Sequence, residues 1–261
     1  MKRIGLVFLT LLFIVWISGC VQQPTRIPLT PEEIADRAQQ SAKTHTELAA
    51  AYYNRKQFRV AIAEVDEALQ ANPNYAPAYN MMGLINMTLK EDRLAQENFE
   101  RALSLSPKNS EAHNNYGWFL CQRVPEKMEE AIKHFMMALR DPLYATPERA
   151  YTNAGLCELT RGRYKDAADF LHNALTFRPT FSPALVGLIE IDFRSGDLRT
   201  AKSKLSRHLQ HASPTSEALW LAIQIERKTG DRYAEESYTY QLQKHFPDSK
   251  EAATLRQGRL R

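Results

Sequence analysis

Three cysteines and seven histidines are the side chains of this 261-residue sequence best suited to covalent or metal chemistry. Cys20 ends an apolar run, residues 4–17, that Lys2 and Arg3 precede and Ser18-Gly19 follow. Small residues at that place suit the cleavage site of a secretory signal. His208 and His211 lie three apart in a helical stretch. No cysteine or carboxylate stands near enough to complete a metal set, which predicts an exposed surface pair. Glycine-rich phosphate loops, nucleophile elbows and paired-histidine zinc helices are missing from the sequence. The pairs Glu129-Glu130 and Glu235-Glu236 read as solvated helix faces. This pattern predicts binding in place of catalysis.

Residues 1–19 read as a secretory signal. The apolar stretch is about 14 residues, short for a ~30 Å hydrocarbon core at ~1.5 Å per residue. Ile17-Ser18-Gly19-Cys20 resembles the lipobox of bacterial lipoproteins, with Ile where Leu is usual. The resemblance implies cleavage before Cys20, a diacylglycerol on its sulfur and a fatty acid such as palmitate on its amino end. No other cofactor or metal is expected. An uncleaved signal anchor is the alternative. Val21 stands where an Asp would imply inner-membrane retention, so the expected address is the outer membrane, with the body facing the periplasm. Residues 20–31 carry Pro24, Pro28 and Pro31 and form a semi-rigid spacer of roughly 30 Å at ~3.1 Å per residue. The formal net charge of +4 falls by two to +2 once Lys2 and Arg3 leave with the signal. That near balance argues against a nucleic-acid partner, which requires concentrated positive charge.

The elements that must position these residues repeat. Pro73, Pro107, Pro142, Pro179, Pro214 and Pro247 are spaced by 34, 35, 37, 35 and 33 residues. Ahead of them recur Tyr79, Met82, Gly83 and Asn86 with Ala95, Phe99 and Ala102, then Tyr116, Gly117 and Leu120 with Ala131, Phe135 and Ala138. Tyr151, Ala154, Gly155 and Glu158 with Ala167, Leu171 and Ala174 follow the same order. Offsets of three, four and seven place residues on one helical face. Small residues let two helix backbones approach, large ones fill between pairs, and proline ends the second helix.

This pattern resembles the tetratricopeptide repeat. It predicts an all-α fold, a right-handed superhelical solenoid of about six helix-turn-helix repeats with a C-terminal capping helix. The array spans 32–247, with repeats at about 42–75, 76–109, 110–147, 148–181, 182–215 and 216–247. In the fifth repeat Ile189 replaces the small residue and His208 the alanine. Val124-Pro125-Glu126 lengthens the turn of the third. Thr30-Pro31-Glu32-Glu33 offers a cap and start for a first helix reaching about Asn54. Residues 248–261 supply a terminal cover, with Arg256, Arg259 and Arg261 in a solvated tail.

The register predicts an apolar, exposed inner stripe of Tyr53, Leu84, Met87, Trp118, Cys121, Leu156, Leu159 and Phe193, a surface suited to a protein partner. Asn80, Asn114 and Asn153 lie beside it, placed to bond a peptide backbone. The alternative is that these side chains bury against the next repeat. Cys121 and Cys157 fall on first helices of adjacent repeats, which in an oxidising compartment predicts a disulfide; two buried thiols are the alternative. The whole combination resembles the type IV pilus biogenesis and stability lipoproteins of the PilF/PilW family. The most specific segments are Asn114-Asn115-Tyr116-Gly117-Trp118-Phe119-Leu120-Cys121 and Tyr151-Thr152-Asn153-Ala154-Gly155-Leu156-Cys157. The resemblance implies a pilotin that binds the pilus secretin, helps it reach the outer membrane and form its ring, and so supports twitching motility. No small-molecule substrate is expected. A scaffold for peptidoglycan enzymes and a chaperone of secreted subunits are the rival roles.

Overall fold

A computed structural model describes residues 29–258; residues 1–19, Cys20, most of the spacer, Arg259 and Arg261 lie outside them. The described residues hold thirteen α-helices and no strand. They are α1 Pro31–Asn54, α2 Phe58–Ala71, α3 Ala76–Leu89, α4 Asp92–Leu105, α5 Ser110–Arg123, α6 Met128–Ala138 and α7 Pro147–Thr160. Then come α8 Tyr164–Phe177, α9 Ser182–Arg194, α10 Leu198–His211, α11 Ser216–Thr229, α12 Arg232–His245 and α13 Lys250–Arg256.

The chain divides into two units, residues 1–40 and 41–261. In the first, a reciprocal cap starts the helix. The Thr30 N–H donates to Glu33 Oε2 at 2.8 Å and the Glu33 N–H donates to Thr30 Oγ1 at 3.2 Å. The bonds from Thr30 hold the Glu33 carboxyl below its usual range.

The second unit is a solenoid of helix pairs: α3 with α4, α5 with α6, α7 with α8, α9 with α10 and α11 with α12. The α3–α4, α5–α6 and α7–α8 pairs each close on one glycine. A Cβ placed on Gly83 would stand 2.7 Å from the Phe99 ring, and one on Gly155 would stand 2.7 Å from Leu171. Outer helices present alanine on either side of the bulky residue, so Ala95, Phe99 and Ala102 are fully buried, as are Ala167, Leu171 and Ala174. The lengthened turn of the third repeat is a 3₁₀ turn, Pro125–Lys127, and it leaves α6 only 11 residues long.

One expectation changes. His208 is buried, not part of a surface pair; it lies against Ser182 Oγ at 3.0 Å and burial lowers its pKa. The reason is its register, which points the imidazole into the seam between α9 and α10. Among the described residues the terminal helix has seven residues, Lys250–Arg256. It covers the array end through Ala252 against Leu219, Ile223 and Leu242. The glutamate pairs also carry partners: Glu129 bonds Arg161 across repeats, and Arg227 donates to Glu235 at 2.8 Å.

A histidine pair pins α5 to α6. The Pro107 carbonyl accepts from His113 Nε2 at 3.0 Å, which leaves His113 Nδ1 as an acceptor. His134 Nδ1–H therefore donates to it at 2.9 Å. Burial, then His113 and Lys127, push His134 from 6.5 down to about 4. The unfolded chain thus binds more protons across that window, so stability is complete above pH 6.5 and falls as pH drops toward 4. The loss approaches about 3 kcal/mol. A His134→Asn variant, which keeps a donor but does not titrate, is expected to show a shallower decline between those pH values. Parallel unfolding midpoints for the two chains would contradict the lowered His134 pKa.

Candidate functional site

The inner helices α3, α5, α7 and α9 line a trough. In each of them the residue directly after the small position, or after its Ile189 counterpart, turns into it: Leu84, Trp118, Leu156 and Glu190. The trough has two chambers of about 510 Å³ and about 390 Å³ that share Trp118, Leu156 and Pro183. Tyr53, Leu84 and Asn114 line the first, and Leu159, Glu190 and Arg194 line the second. Trp118 and Leu156 are half-buried, so each keeps apolar surface available to a partner. Tyr53 is fixed by a 2.8 Å hydrogen bond between its hydroxyl and Thr88 Oγ1.

The remaining stripe residues have other places. Asn80, Cys121, Leu159 and Phe193 are at most 9% exposed, and Met87 packs on the core around Phe119. Met87, Cys121, Leu159 and Phe193 all lie four residues after the small position or its counterpart. That position faces the inner helix of the next repeat, so the residue goes into the joint between repeats; Leu159 alone also reaches the wall of a chamber. The same rule brings Cys121 of α5 to Cys157 of α7. The structure joins them in a disulfide with Cα atoms 5.9 Å apart.

The asparagines bond one another before any peptide. Asn115 Nδ2 donates to Asn80 Oδ1 at 3.2 Å, and Asn153 Nδ2 donates to Asn114 Oδ1 at 3.0 Å. They form a buried amide ladder across three repeats, which fixes the register of neighbouring inner helices. Thr152, beside the ladder and 2% exposed, has a hydroxyl with no hydrogen-bond partner among the described residues. Glu111, Arg149 and Pro183 also line the trough and escaped sequence reading. Each lies six residues before the small position or its counterpart, on the same helical face as Trp118 and Leu156, so phase alone would have found them.

Among the described residues no cluster of three or more His, Cys, Asp or Glu side chains is placed to hold a metal. No described helix is long and apolar enough to cross a membrane.

Tetratricopeptide-repeat profiles match residues 76–109 and 98–140. The type IV pilus assembly protein PilF of Pseudomonas aeruginosa is 26% identical over 95% of this chain and 96% of its own length. The crystal structure of PilW, a widely conserved type IV pilus biogenesis factor, is 33% identical; the match covers 82% of this chain and 97% of PilW, with a TM-score of 0.70. The chain belongs to the PilF/PilW family. A solved structure of the P. aeruginosa PilF, 24% identical and matched over 86% of this chain and 99% of its own with a TM-score of 0.65, shares the fold. For a PilF/PilW protein the trough is the broad uncommitted recess of the inner helices, built from a repeat class that acts through protein–protein contact.

Proposed function

We propose that this protein works in type IV pilus biogenesis as an outer-membrane lipoprotein adaptor, a pilotin for the pilus secretin. Kinship to PilW, a type IV pilus biogenesis factor, over 97% of that protein's length is the observation that carries the pilus role. The finer reading rests on two features. The lipobox-like Ile17-Ser18-Gly19-Cys20 would supply the membrane address, because several acyl chains anchor far more firmly than one. The trough would supply the grip: an apolar anchor from the secretin enters beside the half-buried Trp118 and Leu156. The protein thus acts by binding and delivery, without catalysing a reaction.

Deleting the gene is expected to abolish surface pili and twitching and to leave the secretin ring misplaced or unassembled. Restoring the wild-type gene reverses this. A Trp118→Ala protein, confirmed folded by its melting curve, is expected to bind secretin about 30-fold more weakly, a loss of about 2 kcal/mol for a central aromatic anchor. Cys20→Ser is expected to leave the body folded and move it to the soluble fraction. Normal pili with a correctly placed ring in the deletion strain would rule the pilotin role out.

A further inference from the structure

Helix α10 is chemically one-sided. It carries Arg199, Lys202, Lys204 and Arg207 and no carboxylate. Lys202 turns toward the next repeat, 2.5 Å from Glu226, and Lys204 meets Asp192 at 2.8 Å. Arg199 and Arg207 pair with no carboxylate among the described residues, and both are exposed. The apolar side of the helix, Ala201 and Leu205, is already spent in the core.

Beside this helix the fifth repeat breaks its pattern. Ile189 occupies the position that Gly83, Gly117 and Gly155 hold in earlier repeats, and the α9–α10 pair is correspondingly less close than the glycine-built pairs. Between α8, α9 and α10 a cavity of about 480 Å³ opens on the outer side of the array. Leu175, Leu185, Leu188 and Ile189 line its floor. Lys204, Arg207 and His211 stand exposed around it. None of these residues lines the trough of the inner helices.

We propose that this pocket is a second docking site, taking an acidic peptide segment of a partner protein. One apolar side chain of the segment fills the leucine-floored recess, and a neighbouring Asp or Glu meets the Arg207 guanidinium. Arginine suits this role because its planar fork holds a carboxylate through two parallel hydrogen bonds. An anionic membrane would satisfy the charges but not the recess, since headgroups project no apolar knob into a protein hollow. Nor is the helix free to lie in a bilayer, because its apolar face is buried. A single alkyl chain would leave much of its length wet in so wide a mouth. The inner trough and this outer pocket use different helical faces, so one array can hold two proteins at once.

The purified full chain is panned against a phage library of random peptides. Recovered sequences are then synthesised and titrated by fluorescence anisotropy. Peptides pairing an apolar residue with Asp or Glu are expected. Arg207→Glu is expected to weaken them about tenfold or more. Arg93→Glu, a charge reversal at an exposed arginine on α4, is expected to leave them unchanged. Recovery of no peptide sensitive to Arg207→Glu overturns the proposal, as does recovery of basic ones. If phosphatidylglycerol vesicles or dodecanoate bind in an Arg207-dependent way while no peptide does, the pocket belongs to lipid and the proposal fails.

Discussion

Truncating Phe99 to alanine is expected to lower the unfolding free energy by about 3–5 kcal/mol. Phe99 is fully buried and packs within 6 Å, ring to ring, of both Tyr116 and Phe119, the first residues of the next repeat's core. Its ring also sits over Gly83 of its own repeat. One side chain therefore joins α4 to α3 and to α5, and removing it leaves a cavity that rigid helix pairs cannot close. The chain's whole stability is expected to be of the order of 5–15 kcal/mol, so this single change is severe. The glycine gives a sharper check. Gly83→Ala alone places a Cβ 2.7 Å from the ring and is expected to cost about 1–3 kcal/mol through overpacking. In the Phe99→Ala background the same methyl enters empty space. Its cost should vanish, giving a coupling of about 1–3 kcal/mol in a double-mutant cycle. Additive effects of the two changes in urea unfolding would show that the ring and the glycine do not form one joint.

Removing the Cys121–Cys157 bond is expected to cost about 4 kcal/mol. The cysteines are 36 residues apart, and closing a loop of that length restricts the unfolded chain by about this amount in the chain-entropy description. The bond sits between the inner helices of repeats three and four, in the middle of the array, beside Trp118 and Leu156. Loss there separates two halves that otherwise meet only through neighbour contacts, so unfolding should also become less cooperative. The comparison is between the oxidised chain and the Cys121→Ala/Cys157→Ala chain, because alanine leaves no buried polar group at sites 3% and 0% exposed. Equal melting temperatures would dispose of the stabilising role. A thiol titration of the denatured, unreduced chain should find neither cysteine reactive.

Much of the fold was legible because its signals are local. Pro31 and Glu33 mark the start of α1, and Thr30 caps it as the sequence implies. Gly83, Gly117 and Gly155 mark close helix approaches, and alanines flank each bulky core residue of the outer helices. The trough was only partly legible. Leu84, Trp118 and Leu156 line it, but Phe193 was drawn into the predicted stripe by its apolarity although its phase sends it into the core. Glu190 and Arg194 hold the corresponding trough positions and were passed over because they are charged.

The repeat, its length, its close contacts and its family can be read along the chain, because proline, glycine and alanine act through local backbone geometry. Which side chains remain available depends on how the helices pack. The amide ladder of Asn80, Asn115, Asn114 and Asn153, the burial of His208 and the pocket beside Arg207 each depend on more than one helix. Spacing along a single helix fixes a direction. What stands in that direction is set by the neighbouring helices and by how closely they pack.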